Sequence, residues 1–533
     1  MRYIILCILS LLSFQVLSQS LFSPSDTLKG GLRPERTSYD VHYYDLEVEV
    51  FPEEKALSGS STIHFTAKES TRRIQVDLFS NLQVTDIVSA TPIASYERLY
   101  GAIFINFKEN LPPGSTHSVK IDYKGEPHEA IKAPWDGGFS WKKDKLDRHW
   151  IATSVQGEGA SLWWPVKEHL SDEPDSVSIT CTVPEGLTCV SNGNLQSQST
   201  KDGKSTFTWC VANPINVYNV ALNIGHYVTI EDTIHEDKGP LPASYYVLDY
   251  HEQKAREAFP GQVDEMFDHF NRILGPYPFP EDGFALVEVP YWGMEHQSAV
   301  AYGNRFVIND YGFDFILIHE SGHEYFGNSI TAPDPAELWI HEAFTTYLEV
   351  LFLESRDGYR KSIEYLQTKK PLIENNRPVL GPKGVYFAEW TDADMYYKGA
   401  WMLQSLRHTI NGGDDKWYGL IRDFYQTFKG RTVDTDMVIS FFEQQSGMSL
   451  RSIFSHFLTE LDPPHLQYKR EGKNLSYRWL NTDDGFNMPV EILAGRKSVR
   501  LYPTTQWQTT KLPKGSEVKW SDDKFYFTEE KTD

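Results

Sequence analysis

The hydrophobic pattern of this chain changes period near residue 235 and changes back near residue 463, and that double switch limits the folds open to it. Over residues 39–227 the sequence alternates, with His42, Tyr44, Leu46, Val48 and Val50 set against Tyr43, Asp45, Glu47 and Glu49. A period of two puts each set on its own face of a pleated strand. Further strands are predicted over 61–67, 74–78, 103–107 and 119–123, separated by turn signals such as Pro112-Pro113-Gly114 and Lys201-Asp202-Gly203-Lys204. A charged, proline-containing stretch over 235–242 reads as a connector. A helical pattern follows over 251–274, where Pro260-Gly261 predicts a break or kink. After a short strand over 284–289, helices are predicted over about 336–355, 392–410 and 417–428, with two shorter pieces up to 458. Beyond Pro463-Pro464 short alternating runs return, the pattern of a small β-sandwich. A chain of 533 residues is too long for one core. The expectation is a multi-domain α+β protein with an all-β domain over 19–234, a mostly helical domain over 235–462 and a small β-sandwich over 463–533.

Residues 1–18 stand apart. One basic residue, Arg2, precedes a largely apolar run over 4–17, and Val16-Leu17-Ser18 offers a cleavage point. That is the pattern of a secretory signal peptide, so the chain is expected to be exported, to a periplasm or beyond the cell. The run falls short of the ~20 residues that span a bilayer, and no later stretch is long and apolar enough, so no membrane span is expected after cleavage. A formal charge of -22 argues against nucleic acid as a partner. Cys181, Cys189 and Cys210 remain after cleavage, and their pairing is open.

The chemistry concentrates at His319-Glu320-Ser321-Gly322-His323. Histidines four apart on a helix share one face about one turn apart, near enough to hold one ion. Glu320 sits beside them without having to ligate, where a carboxylate can take a proton from a metal-activated water. Eighteen residues separate His323 from Glu342 on the next helix, room for one turn back and an antiparallel approach. Two neutral imidazoles and one carboxylate leave one tetrahedral position open, the arrangement of a catalytic zinc, one per chain.

The run His319-Glu320-x-x-His323-x-Tyr325-Phe326-Gly327-Asn328, with Glu342 downstream, resembles the aminopeptidase N family of gluzincin zinc metallopeptidases. Three further family motifs fall in order: Gln156-Gly157-Glu158, Gly293-Met294-Glu295 within 292–296, and Tyr396-Tyr397-Lys398-Gly399-Ala400. The resemblance implies a thermolysin-like catalytic domain between the two β domains and zinc on His319, His323 and Glu342. It implies Glu320 as general base and later proton donor to the leaving amine, and Tyr396 as hydrogen-bond donor to the oxyanion. It further implies that Glu295 and Glu158 hold the free amine of a peptide substrate, that Gln156 lines the pocket for the first side chain, and that Gly293 and Met294 carry the substrate backbone. Three departures stand out: Trp292 replaces a family glycine, His296 a family asparagine, and His341-Glu342-Ala343 replaces Asn-Glu-Gly. Longer members add a helical domain over the cleft, so a more open cleft, or one closed by a second subunit, is expected here. Oligomeric state is not readable. The expected activity is release of single N-terminal residues from peptides, with a zinc endopeptidase and a non-catalytic peptide-binding ectodomain as rivals.

Overall fold

The computed structural model describes residues 22–236, 239–386, 391–494, 497–513 and 518–532. The expected signal peptide lies outside the described residues.

The alternation that opens the β region places Tyr44, Leu46, Val48 and Val50 in the core at 3% exposure or less, along the strand Tyr39–Phe51. That strand lies at the centre of a seven-stranded sheet, antiparallel to Ala56–Ala67 and parallel to Ser176–Pro184, with Leu46 opposite both Ser61 and Ile179. A three-stranded sheet carries Ala102–Leu111 between Thr71–Asp77 and Ile93–Leu99, and a four-stranded sheet carries His149–Ser154 beside Gly138–Lys143. Trp163 and Trp164 fill the space between the sheets, Trp164 edge-on to Tyr44 at 4.9 Å. Cys181 and Cys189 are buried as free thiols and Cys210 is free and partly exposed.

Two short helices precede the first strand, α1 (Pro24–Gly30) and α2 (Pro34–Thr37), where no element was expected. Each is anchored from within. Arg36 of α2 is fully buried and pairs with Asp77 at 2.5 Å. Lys29 of α1 is 4% exposed and donates from Nζ to the Glu158 carbonyl at 2.9 Å.

The boundary expected at 234/235 falls inside a hairpin, because Tyr227–Glu236 pairs antiparallel with Gly239–Leu248 from end to end. The prolines that made 235–242 look like a connector are compatible with strand. Parallel pairing to Phe284–Glu288 begins only at Ala243, so Pro240 and Pro242 have no partner on that side to whom a missing N–H would matter. The hairpin belongs to a five-stranded sheet completed by Val300–Tyr302 and, at its edge, Gly293–Met294.

The helix α3 (Glu252–Ile273) continues through Pro260, where a break or kink was expected, so the chain does not break there. Proline inside a helix costs about 3 kcal/mol. Burial of one face, including Phe259, Val263, Met266, Phe267 and Phe270, outweighs it at about 1.5–3 kcal/mol per large side chain. Then come α4 (Phe315–Gly322), α5 (Trp339–Asp357), α6 (Tyr359–Lys369), α7 (Asp394–Thr409), α8 (Gly413–Phe428), α9 (Thr435–Ser446) and α10 (Arg451–Thr459). α5 and α7 pack together and α4 crosses onto α5, which brings the two halves of the expected metal motif into contact. Beyond residue 463 the described residues carry short strands in two sheets, one of four strands and one of three.

Candidate active site

α4 starts where Asp314 caps it, its side chain accepting from the Leu317 amide at 3.3 Å, and ends with His323 at the C-cap. The first turn is Phe-Ile-Leu-Ile, and Ile316 to Gly322 are all buried, so the helix is drawn inside by its apolar residues and carries its polar ones with it. Buried polar atoms need partners. His319 Nδ1 donates to Glu349 Oε1 at 2.6 Å, and Glu349 Oε2 accepts from the Tyr365 hydroxyl. His323 Nδ1 donates to the Phe326 carbonyl at 2.9 Å. With both Nδ1 atoms protonated, both Nε2 atoms carry a lone pair toward the same point. They lie 3.2 Å apart, and Glu342 Oε2 is 3.6 Å from His319 Nε2 and 3.3 Å from His323 Nε2.

Glu342 reaches this point from the first turn of α5, and its Oε2 is buried without a hydrogen-bond partner. Burial pushes its carboxyl up, but the two imidazoles override that and hold it well below the usual range. Three acceptor atoms within 4.8 Å of one another, the two imidazoles oriented from behind, form a donor set that fits a divalent metal ion. Glu349, one residue behind the donors, was not anticipated. Its signal was present, since position 349 lies two turns beyond Glu342 on the same helix face. Glu349→Gln is expected to weaken metal affinity about 10–100-fold, measurable by competition of the purified chain against a metal-responsive chelator.

Glu320 faces the same cavity, which measures about 360 Å³. Burial pushes its carboxyl up to about 8, against the pull of His319 and His323. Gly293 lies so close that a Cβ there would stand 2.5 Å from Glu320 Oε1, so the edge strand needs glycine to pass the carboxylate. Met294 lines the cavity one position on. Tyr396, near the start of α7, stacks on His319 at 6.0 Å between ring centroids, and burial and the neighbouring Glu342 raise its hydroxyl pKa well above 10, so it stays a proton donor. Tyr397 also lines the cavity, and burial raises its hydroxyl pKa, with Glu349 and then Glu342 adding to the shift.

Glu295 is 3% exposed and lines the same cavity. Its Oε1 accepts from the Gln156 amide and from the Tyr218 hydroxyl, the latter at 3.1 Å, and Asn328 Nδ2 donates to its carbonyl at 2.9 Å. Burial raises its pKa, with His323 opposing. One ligand atom each from Glu295, Glu320 and His323 lie within 4.8 Å of one another, so the Glu295 carboxylate adjoins that of Glu320. Tyr218 was missed by sequence reasoning, and no local pattern marks it.

Glu158 does not line the cavity. The strand ends at Ser154, and a turn follows in which Gly159 and Glu158 donate to the Val155 carbonyl at 2.6 and 3.1 Å. Strand alternation would have kept 156 and 158 on one face; the turn sends Gln156 to Glu295 and the Glu158 side chain to Gly137, where a Cβ would meet its Cγ at 2.7 Å. Of the departures, His296 is buried with neither ring nitrogen partnered and its pKa lowered to about 3 by burial, while His341 Nε2 accepts from the Ala332 amide at 2.8 Å.

A helix bearing two imidazoles, a carboxylate from the next helix and an edge strand beside them define a metallopeptidase-type centre. Comparison with known proteins gives its family. Residues 261–457 match the peptidase family M1 domain and residues 40–218 match the peptidase M1 N-terminal domain, together more than half of the sequence. The chain belongs to peptidase family M1. Relatives include aminopeptidase B of Homo sapiens, 25% identical over 49% of this chain and 40% of that protein. Aminopeptidase N of Bos taurus is 23% identical over 70% of this chain and 42% of that protein. The chain thus spans under half the length of these relatives. An M1 zinc metallopeptidase from Deinococcus radiodurans shares the fold, with a TM-score of 0.68 at 22% identity over 80% of this chain and 95% of that one.

Proposed function

We propose that this chain is a zinc aminopeptidase that removes single residues from the N-terminus of peptides. The observation that carries this is that buried Glu295 lines the cavity of the metal donors, with a carboxylate oxygen within 4.8 Å of the ligand atoms of Glu320 and His323. Among the described residues lining that cavity there is no lysine or arginine, while Glu295, Glu320, Glu342, Glu349, Glu374 and Asp392 all take part. A free ammonium is the group such a cavity holds best, and an internal peptide bond offers none. Its membership of family M1 and the aminopeptidases among its relatives support the same reading.

His319, His323 and Glu342 would hold the zinc ion, which supplies Lewis acidity toward a water and the substrate carbonyl. Glu320 takes the proton released by the attacking water and returns it to the departing amine. The Tyr396 hydroxyl donates to the oxygen that gains negative charge as the carbonyl is attacked. Glu295 anchors the ammonium, and Gln156, which holds Glu295 from the side, borders the first side chain. Backbone groups of the Gly293–Met294 edge align the peptide, since an edge strand has free N–H and C=O groups to offer.

The test is a pair of substrates differing only at the amine. The zinc-loaded chain is expected to hydrolyse an aminoacyl peptide and leave its Nα-acetyl form essentially uncut. Equal rates would establish an endopeptidase, and no turnover of either a binding protein. We further propose export to a periplasmic or extracellular compartment, on the basic, apolar and small-residue order of the first 18 residues. Processed chain in the culture medium or periplasm supports it, and unprocessed chain confined to the cytoplasm refutes it.

A further inference from the structure

The edge strand Gly293–Met294, which Glu295 directly follows, also gives a bound peptide its direction. With the ammonium at Glu295 and the scissile bond beside Glu320, against which Gly293 is packed, the peptide runs back along the strand toward Trp292. It lies antiparallel to the strand, and at about 3.4 Å per residue the step from Glu295 to Trp292 spans the first residue, the cleaved bond and the second residue. Trp292 is a wall shared by two spaces. On one side is the cavity of the metal donors; on the other is a groove of about 420 Å³ whose lining includes Trp150, Tyr291, Asn304, Arg305 and Val307.

This groove is built rather than incidental. The Trp292 indole is 48% exposed yet held in place, packed on Phe315 at 5.4 Å with its Nε1 donating to Asn304 Oδ1 at 3.3 Å. Asn304 in turn donates to Asp314 Oδ1 at 2.7 Å, and Asp314 caps the helix of His319. A chain of hydrogen bonds therefore ties the rim to the cap of the metal helix. Arg305 and Phe306 are both held at positive φ, 57° and 61°, a conformation that costs non-glycine residues energy. The Phe306 amide donates to the Tyr302 hydroxyl at 2.5 Å and Lys254 Nζ to the Arg305 carbonyl at 3.1 Å, which fixes the turn. Arg305 is exposed and is the one lysine or arginine among the described residues that line the groove. The acid in the groove, Glu288, is already engaged by His251 at 2.7 Å and by the Leu248 amide at 2.9 Å. The first cavity is lined with carboxylates and the adjoining groove is bordered by an arginine, an order of charge that matches the ammonium and carboxylate ends of one peptide.

We propose that this groove is a downstream subsite in which Arg305 binds the C-terminal carboxylate of a short peptide whose amine is held at Glu295. It rests on the aminopeptidase reading and makes the preferred substrates oligopeptides a few residues long with a free C-terminus. Beyond Trp292 a chain of three or four residues ends in the groove, whereas a longer one must pass it with no carboxylate to offer.

The experiment uses alanine peptides of two to five residues, each as the C-terminal acid and as the amide, with the zinc-loaded full chain. At one length, three or four residues, the acid is expected to exceed the amide about tenfold in kcat/KM, the worth of one charge-assisted hydrogen bond. The ratio falls toward one in Arg305→Gln and is retained in Arg305→Lys, and it shrinks with added salt. Acid and amide cut at equal rates at every length would overturn the subsite while leaving the aminopeptidase reading standing. No cleavage of any member would overturn both.

Discussion

Glu320→Gln is expected to keep its metal and lose between about 10² and 10⁴ in kcat, the range of a positioned acid–base group. The reasoning separates two jobs that share one helix. Zinc affinity resides in His319, His323 and Glu342, whose atoms lie 3.2–3.6 Å apart, and Glu320 is not among them. The change to glutamine preserves size, so the close packing against Gly293 survives. Only the ability to take and return a proton disappears. Metal content by atomic spectroscopy, kcat on a free-amine peptide and thermal melting measure the three quantities separately. Full zinc with undiminished turnover would sink the assignment of Glu320. Loss of zinc would place it among the donors. Glu349→Gln should show the opposite pattern, weaker metal binding with turnover recovered at saturating zinc, because the metal donor that Glu349 meets is His319, at its rear nitrogen.

Much of this centre was legible because its information is local. Two imidazoles on one helix face and a carboxylate on the following helix are fixed by helical periodicity, and α4 and α5 need only to cross for the donors to meet. The period-two stretch located the β sheets for the same reason. Where reading failed, the structure was set by contacts between distant segments. Glu158 shares a motif with Gln156, but a turn after Ser154 separates their side chains, and Lys29 from the N-terminal helix holds the Glu158 carbonyl. Pro260 looked like a helix break until the apolar face of α3 was given something to pack on. Residues 235–242 carry charges and two prolines, yet Leu241 is buried opposite Ile234. α6 was overlooked because its apolar stripe is narrow, with only Ser362, Ile363, Tyr365 and Leu366 buried. Tyr218 reaches Glu295 from 77 residues away, a proximity that only the folded β domain creates.

Glu295→Gln is expected to act on selectivity rather than on chemistry. The carboxylate is 3% exposed, and its Oε1 already accepts from Gln156 and Tyr218, so an amide of the same shape keeps those neighbours satisfied. What it loses is the negative charge that meets the substrate ammonium. Leaving one partner of a desolvated charge pair without the other costs about 2–5 kcal/mol, which corresponds to roughly 30- to 4,000-fold in kcat/KM. The ammonium is held alike before and during bond cleavage, so the loss falls mainly on KM. Glu320→Gln falls on kcat, and the two variants are therefore told apart by which constant moves. The acetylated substrate supplies the second axis. Against it Glu295→Gln should gain relative to the free-amine peptide, because an uncharged acetamide no longer faces a buried carboxylate. An unchanged KM together with unchanged rejection of the acetylated peptide would remove Glu295 from the amine. The ammonium would then have to be held by other carboxylates of the cavity, of which Glu374 and Asp392 line it at positions outside the edge strand.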